Sequence, residues 1–278
     1  MAILYVVATP LGNLEDLTLR AIRVLGQAPV VAAESVSRAR SLLAHLQIKG
    51  RKIISCRESN RRTAAQRISS CLRAGLDVAL ISDAGTPGLN DPAAAVVRQA
   101  VRDGFTVSPV PGPSAVGAAW SVAGIDHAPF LVLGFLPAQA GARKTLLREA
   151  QATGWPMLFF ETPHRLRESA ELLARIMPDR GIILCREMSK LHEQIVRATC
   201  GELAGLLQSD PSMMRGEFTL VVEGGCKPEP AAAGLEEIIR RGQGMPPSQL
   251  AACLAAAYGR PREEIYKAIL RLRKPETE

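Results

Sequence analysis

The chain has 278 residues, 47% hydrophobic and 22% charged, which excludes a disordered, collagenous or coiled-coil polypeptide. Lys and Arg total 34 against 27 Asp and Glu, a net charge of +7 that permits a polyanionic partner without requiring one. No apolar run reaches the ~20 residues that span a bilayer, and aromatics are only 4%, so Ala, Val, Leu and Ile must build the core.

The length predicts more than one domain. The first segment, Ile3 to Val7, is a continuous apolar run and reads as a buried strand. It ends in the turn-forming Thr9-Pro10-Leu11-Gly12-Asn13. A helix capped by Asp16 or Thr18 should follow and stop at Gly26. Then come a strand at 30–33 ending at Glu34, a helix at 38–46, a strand at 52–55 and an amphipathic helix at 61–74 closed by Gly75. A strand at 77–81 runs into Ser82-Asp83-Ala84-Gly85-Thr86-Pro87. A helix at 92–103 closes at Gly104, and a strand at 106–110 runs into Pro111-Gly112-Pro113-Ser114. This alternation predicts a mostly parallel sheet with helices on both faces. Such sheets bind ligands beyond the carboxyl ends of their strands, and here three strand ends carry turn-rich loops.

The second half changes character. Strands are expected at 130–135, 156–160, 181–185, 195–199 and 218–222, with helices at 143–151 and 163–176. Consecutive strands predict more antiparallel pairing. The domains expected are 1–115, a mostly parallel α/β unit, and 116–226, a mixed α/β unit. A Pro- and Ala-rich linker at 227–234 and a helical appendage at 235–278 follow, with helices at 235–241, 247–258 and 262–273.

The six cysteines form no CxxC pair, and the expectation is reduced, mostly buried thiols. The four histidines form no HxxxH or HxH set, so no metal is expected. No basic segment precedes the first strand, so no signal peptide and a cytoplasmic location are expected. The SDAGTPG loop lacks the spacing of a dinucleotide or P-loop site. Its glycines and proline bring backbone groups close to a ligand, and Asp83 suits a cationic group.

Four stretches in order are more specific. They are Tyr5 to Asp16 (YVVATPLGNLED), Ser82 to Pro92 (SDAGTPGLNDP), Pro111 to Ala115 (PGPSA) and Glu161 to Arg165 (ETPHR). Together with GFLP at 134–137, REMSKLHE at 186–193 and GEF at 216–218, they resemble the ribosomal RNA small subunit methyltransferase I family. That family belongs to the tetrapyrrole methylase superfamily. The resemblance implies two α/β domains with S-adenosylmethionine in the cleft between them, plus a small helical appendage. It implies 2′-O-methylation of a cytidine ribose in the decoding region of 16S rRNA within the small ribosomal subunit, and a homodimer.

Carried onto this chain, the resemblance places the cofactor at Asp83, Gly85, Thr86 and Pro87, at Pro111, Gly112, Pro113, Ser114 and Ala115, and at Phe160, which a core role would equally explain. A ribose hydroxyl is a poor nucleophile, so a base or polarising cation should help. Glu34, Glu161 and Lys190 are the catalytic candidates; Asn13, Arg38, Arg57, Glu58, Asn60, His164 and Arg165 are the substrate candidates. Two stretches depart from the family. Where it usually reads A-A-E-D-T-R, this chain has Ala32-Ala33-Glu34-Ser35-Val36-Ser37; where it tends to read H-E-H-N-E, this chain has Arg57-Glu58-Ser59-Asn60-Arg61. The alternatives are a tetrapyrrole methyltransferase, or a non-catalytic homologue that binds S-adenosylmethionine or rRNA.

Overall fold

The computed structural model describes residues 2–89, 91–126, 129–225, 245–258 and 261–273. Its first sheet has strands β1 (Ile3–Val7), β2 (Val30–Ala33), β3 (Lys52–Ser55), β4 (Val78–Ile81) and β5 (Thr106–Val110). All pair in parallel, in the order β3-β2-β4-β1-β5. Every residue of β2 and β4 is buried, as a continuous apolar run in a sheet covered on both faces requires. The helices that cover it are α1 (Leu19–Gln27), α2 (Val36–His45), α3 (Arg61–Arg73) and α4 (Ala93–Arg102). One core layer holds Ile54, Ile68, Leu72, Leu80 and Val96; the other holds Val7, Leu25, Val31, Leu43 and Ile81.

The second sheet has β6 (Leu131–Phe135), β7 (Met157–Glu161), β8 (Gly181–Arg186), β9 (Gln194–Thr199) and β10 (Phe218–Val222), in the order β6-β7-β10-β8-β9. Only β6 and β7 are parallel; the other pairs are antiparallel, as the run of consecutive strands predicts. Helices α6 (Ala140–Ala152), α7 (Pro163–Ile176) and α8 (Cys200–Ser209) share a core with its outer face.

Helix α5 (Ala115–Ala123) follows β5 of the first sheet but packs on the second. Its Ala119 and Ala123 lie against Leu158, Ile183 and Val221. The two sheets thus belong to one compact unit, Met1–Gln151 with Trp155–Gly225. A second unit is built around α9 (Pro247–Tyr258) and α10 (Arg262–Arg273), which bury Leu250, Leu254, Ile265 and Ile269 together. The expected linker at 227–234 and helix at 235–241 lie outside the described residues.

Several boundaries differ from the sequence reading. Thr18, not Asp16, caps α1, accepting from the Ala21 N–H at 3.1 Å. Helix α1 does not stop at Gly26 but at Ala28, which is extended because Pro29 follows it. Helix α2 starts two residues earlier than expected, because Ser35 caps it by accepting from the Arg38 N–H.

Of the described cysteines, Cys56, Cys71, Cys185 and Cys200 are buried and free, and Cys253 is exposed and free. Burial pushes the Cys56 and Cys185 thiols up to about 11 and the Cys200 thiol up to about 12.

Gly216, just before β10, has φ +105°, and a Cβ there would meet the Glu187 Cγ at 2.6 Å. Gly216→Ala is therefore expected to cost about 2 kcal/mol, seen as a fall in Tm of roughly 4–8 °C. A melting temperature within a degree of wild type would show that the loop relaxes freely.

Candidate active site

The carboxyl ends of β1, β2, β4 and β5 meet at one edge of the first sheet, and their loops are tied together. Thr9 and Gly85 exchange backbone hydrogen bonds of 3.0 and 2.9 Å, joining the β1 and β4 loops. Gly85 makes this approach at φ +73°, where an added Cβ would press on Leu11 at 3.1 Å. The Thr86 hydroxyl donates to the Pro113 carbonyl at 2.9 Å, joining the β4 and β5 loops. Asp83 accepts from the Ser35 N–H at 3.0 Å and pairs with Arg38 at 3.5 Å, joining the β4 loop to the start of α2.

Facing this edge is the second sheet. Between them lies a cleft of about 320 Å³, within the size range of small-molecule sites. The first sheet contributes Leu11, Glu34, Arg38, Ser82, Asp83, Gly85, Thr86, Asp91, Ser114 and Ala115. The second contributes Phe135, Phe160, Glu161, Thr162, Pro163 and the stretch from Gly216 to Thr219. Phe135 and Phe160 pack with ring centroids 5.5 Å apart, an aromatic wall opposite the acidic edge.

Glu34 carries the most informative electrostatics. Burial first, then the carboxylates of Asp83 and Asp91, push it above the usual glutamate value, while Arg38 pulls it back. Glu161 is buried and fully engaged. It accepts from the Ser169 hydroxyl at 2.6 Å and the Thr162 N–H at 2.9 Å, and it pairs with Arg165 at 3.3 Å. Lys190 lies across the backbone of Gly12, between Glu187 at 2.9 Å and Glu217 at 3.1 Å. Burial alone would lower its ammonium, but the hydrogen bonds and charges of Glu187 and Glu217 hold it above the usual lysine value. Lys190 is thus a fixed cation rather than a proton acceptor.

The remaining candidates separate. Gly112 and Pro113 do not line the cleft but face a neighbouring cavity with Thr18, Met188 and Glu193, and Ser114 borders both. Pro87 is buried behind its loop and Pro111 is exposed at the end of β5. Asn13 and Asn60 act as local caps, accepting from the Glu15 and Arg57 N–H groups. Glu58 pairs with Arg61, and Arg57 and His164 are exposed. Arg165 turns inward to Glu161 and the carbonyls of Leu136 and Pro137. Asp91, Phe135, Thr162, Pro163, Glu217 and Thr219 line the cleft without having been assigned from the sequence. The signal for five of them was present, since Asp91, Phe135 and Glu217 fall inside the NDP, GFLP and GEF stretches and Thr162 and Pro163 inside ETPHR.

A parallel α/β sheet whose strand-end loops face a second, mixed sheet across a ligand-sized cleft defines a two-lobed ligand-binding fold. Residues 3–204 match the family model of Tetrapyrrole (Corrin/Porphyrin) Methylases. A ribosomal RNA small subunit methyltransferase I from Neisseria meningitidis serogroup B is 42% identical over 219 residues, covering 79% of this chain and 75% of the relative. One from Escherichia coli O157:H7 is 36% identical over 271 residues, covering 96% and 94%. Among solved structures, the methyltransferase CobJ superposes with a TM-score of 0.61 at 18% identity, over 81% of this chain and 95% of that one. A Thermus thermophilus uroporphyrin-III C-methyl transferase complexed with S-adenosyl homocysteine gives 0.57 at 20%, over 80% and 97%. This chain belongs to the ribosomal RNA small subunit methyltransferase I family, within the tetrapyrrole methylases.

Proposed function

We propose that the protein transfers a methyl group from S-adenosylmethionine to the ribose 2′-oxygen of a cytidine in the decoding region of 16S rRNA. Family membership supports a methyltransferase acting on small-subunit rRNA. The observation that carries the chemistry is Glu34, a carboxylate with a raised pKa in the cleft that the strand-end loops enclose. The cleft suits the donor. Acidic groups at Glu34, Asp83 and Asp91 favour a cation, and the faces of Phe135 and Phe160 suit both a cation and a flat base. Gly85 brings the loop backbone close without a side chain in the way.

When bound, S-adenosylmethionine supplies an electrophilic methyl on a sulfonium. The 2′-oxygen forms the new O–C bond as the C–S bond breaks and S-adenosylhomocysteine leaves. Glu34 accepts the hydroxyl proton, which its raised pKa favours. Asp83 holds the start of α2, and so Glu34 and Arg38, against the β4 loop. Glu161 positions rather than reacts, anchoring the β7–α7 turn through Thr162, Ser169 and Arg165. Arg38 is the cleft cation nearest this edge and suits a phosphate flanking the target ribose. The protein works in the cytoplasm, as a homodimer.

The test is methyl transfer from tritiated S-adenosylmethionine to small ribosomal subunits from cells lacking this protein, with the label mapped for 2′-O-methylation. Label at one decoding-region cytidine is expected. Absence of label with S-adenosylmethionine binding intact by calorimetry would assign the site another acceptor or no turnover.

A further inference from the structure

A second feature lies outside the cleft. Helices α3 and α4 both begin at the carboxyl edge of the first sheet, beside Glu34 and Asp83, and run back along its outer face. The groove between them has a volume of about 320 Å³ and is lined by Arg61, Arg62, Gln66, Arg98, Gln99 and Arg102, with Ala65 and Ala95 at its floor. No carboxylate lines it. Glu58 is engaged by Arg61, and Asp103 by Arg73, Ser69 and Gln99. Arg62, Arg98 and Arg102 are exposed and make no ion pair among the described residues.

Such an arrangement does not serve folding. Arg98 and Arg102 stand at i, i+4 on one helix, where like charges repel, and the arginines of α3 face them across the groove. A surface that leaves several guanidinium groups side by side without a counter-charge is complementary to a polyanion. The planar forks of arginine match phosphate oxygens in pairs. The two glutamines add neutral hydrogen-bonding groups to the same wall, and the alanines keep it open.

We infer that the α3–α4 groove is a phosphate track that grips the RNA backbone and leads it toward the cleft. The inference rests on the reading of RNA as the substrate. The geometry sets its direction: Arg61 and Arg62 sit in the first turn of α3 at the site edge, while Arg98 and Arg102 continue away from it. Contacts of this kind add affinity without sequence information and are strongly salt-dependent. The track would act on substrate capture and not on the methyl-transfer step.

The test uses the full-length protein, with Arg62→Ala/Arg98→Ala/Arg102→Ala and its triple-lysine counterpart. The first readout is the salt dependence of binding to a single-stranded RNA oligonucleotide. The slope of log K against log salt is expected to shrink by about 2–3 in the alanine variant and to be kept by the lysine variant. The second is steady-state methylation of small subunits, where KM is expected to rise about tenfold with kcat and S-adenosylmethionine affinity unchanged. An unchanged slope overturns the track, as does wild-type protein whose RNA binding ignores salt. Lost binding to intact subunits with undiminished binding to protein-free RNA would instead assign the groove to an acidic protein. Should wild type methylate no RNA, the proposed function fails, while the oligonucleotide slope still decides the groove.

Discussion

Glu34→Gln is expected to lower kcat by about 10²–10⁴-fold while leaving the affinity for S-adenosylmethionine within about twofold. The substitution keeps size and shape and removes the proton acceptor. The pH profile gives the second signature. A base must be deprotonated to act, so the wild-type rate should rise with pH through the Glu34 pKa. Burial and the charges of Asp83 and Asp91 place that limb above the usual glutamate range, against the pull of Arg38. The variant should lose the limb. Stability should move the other way. A carboxylate whose folded pKa is raised binds its proton more tightly in the folded state, so its contribution falls as pH rises from the unfolded value through the folded one. Glu34→Gln should therefore be more stable than wild type at neutral pH, in the direction expected of a group placed for function. A kcat within twofold of wild type would move the base elsewhere.

Asp83→Ala is expected to raise the KM for S-adenosylmethionine by about 10–100-fold, as loss of a charged hydrogen-bonding group implies. Two partners lose their anchor: the Ser35 N–H that opens α2, and the Arg38 guanidinium. Asp83 also contributes to raising Glu34, so its removal should shift the lower limb of the pH profile to lower pH. A merely unfolded loop would not produce that shift. Equal methyl incorporation by the variant and wild type would overturn the assignment of this loop to the cofactor.

The first sheet was legible because its strands are short apolar runs, each followed by turn residues. The loops that line the cleft were legible for the same reason. Helix α5 was not, because AVGAAWSVA is apolar all round: one face lies on β10 and its neighbours, and no polar face remains to give a period. Helix α8 was missed although Thr199 and Glu202 form a capping box that the spacing could have revealed. In the site, Glu217 reaches the cleft through the pairing of β10 with β7, which sets Phe218 opposite Glu161. Pairing between strands more than fifty residues apart leaves no local pattern. Arg165 is a substrate candidate only through its place in the ETPHR stretch, whereas its side chain holds the Glu161 carboxylate in place.

The thiols offer a built-in stopwatch for motion. Cys56 and Cys71 sit in the layers of the first sheet, and Cys185 and Cys200 in those of the second. With Cys56, Cys185 and Cys200 raised to about 11 or 12, only about one part in ten thousand or fewer is ionised at neutral pH. An alkylating reagent therefore marks these three at the rate at which each lobe opens, whereas the exposed Cys253 reacts at once. Chasing the two lobes separately, with and without bound donor, would reveal which half breathes to admit a nucleic acid and which stays shut.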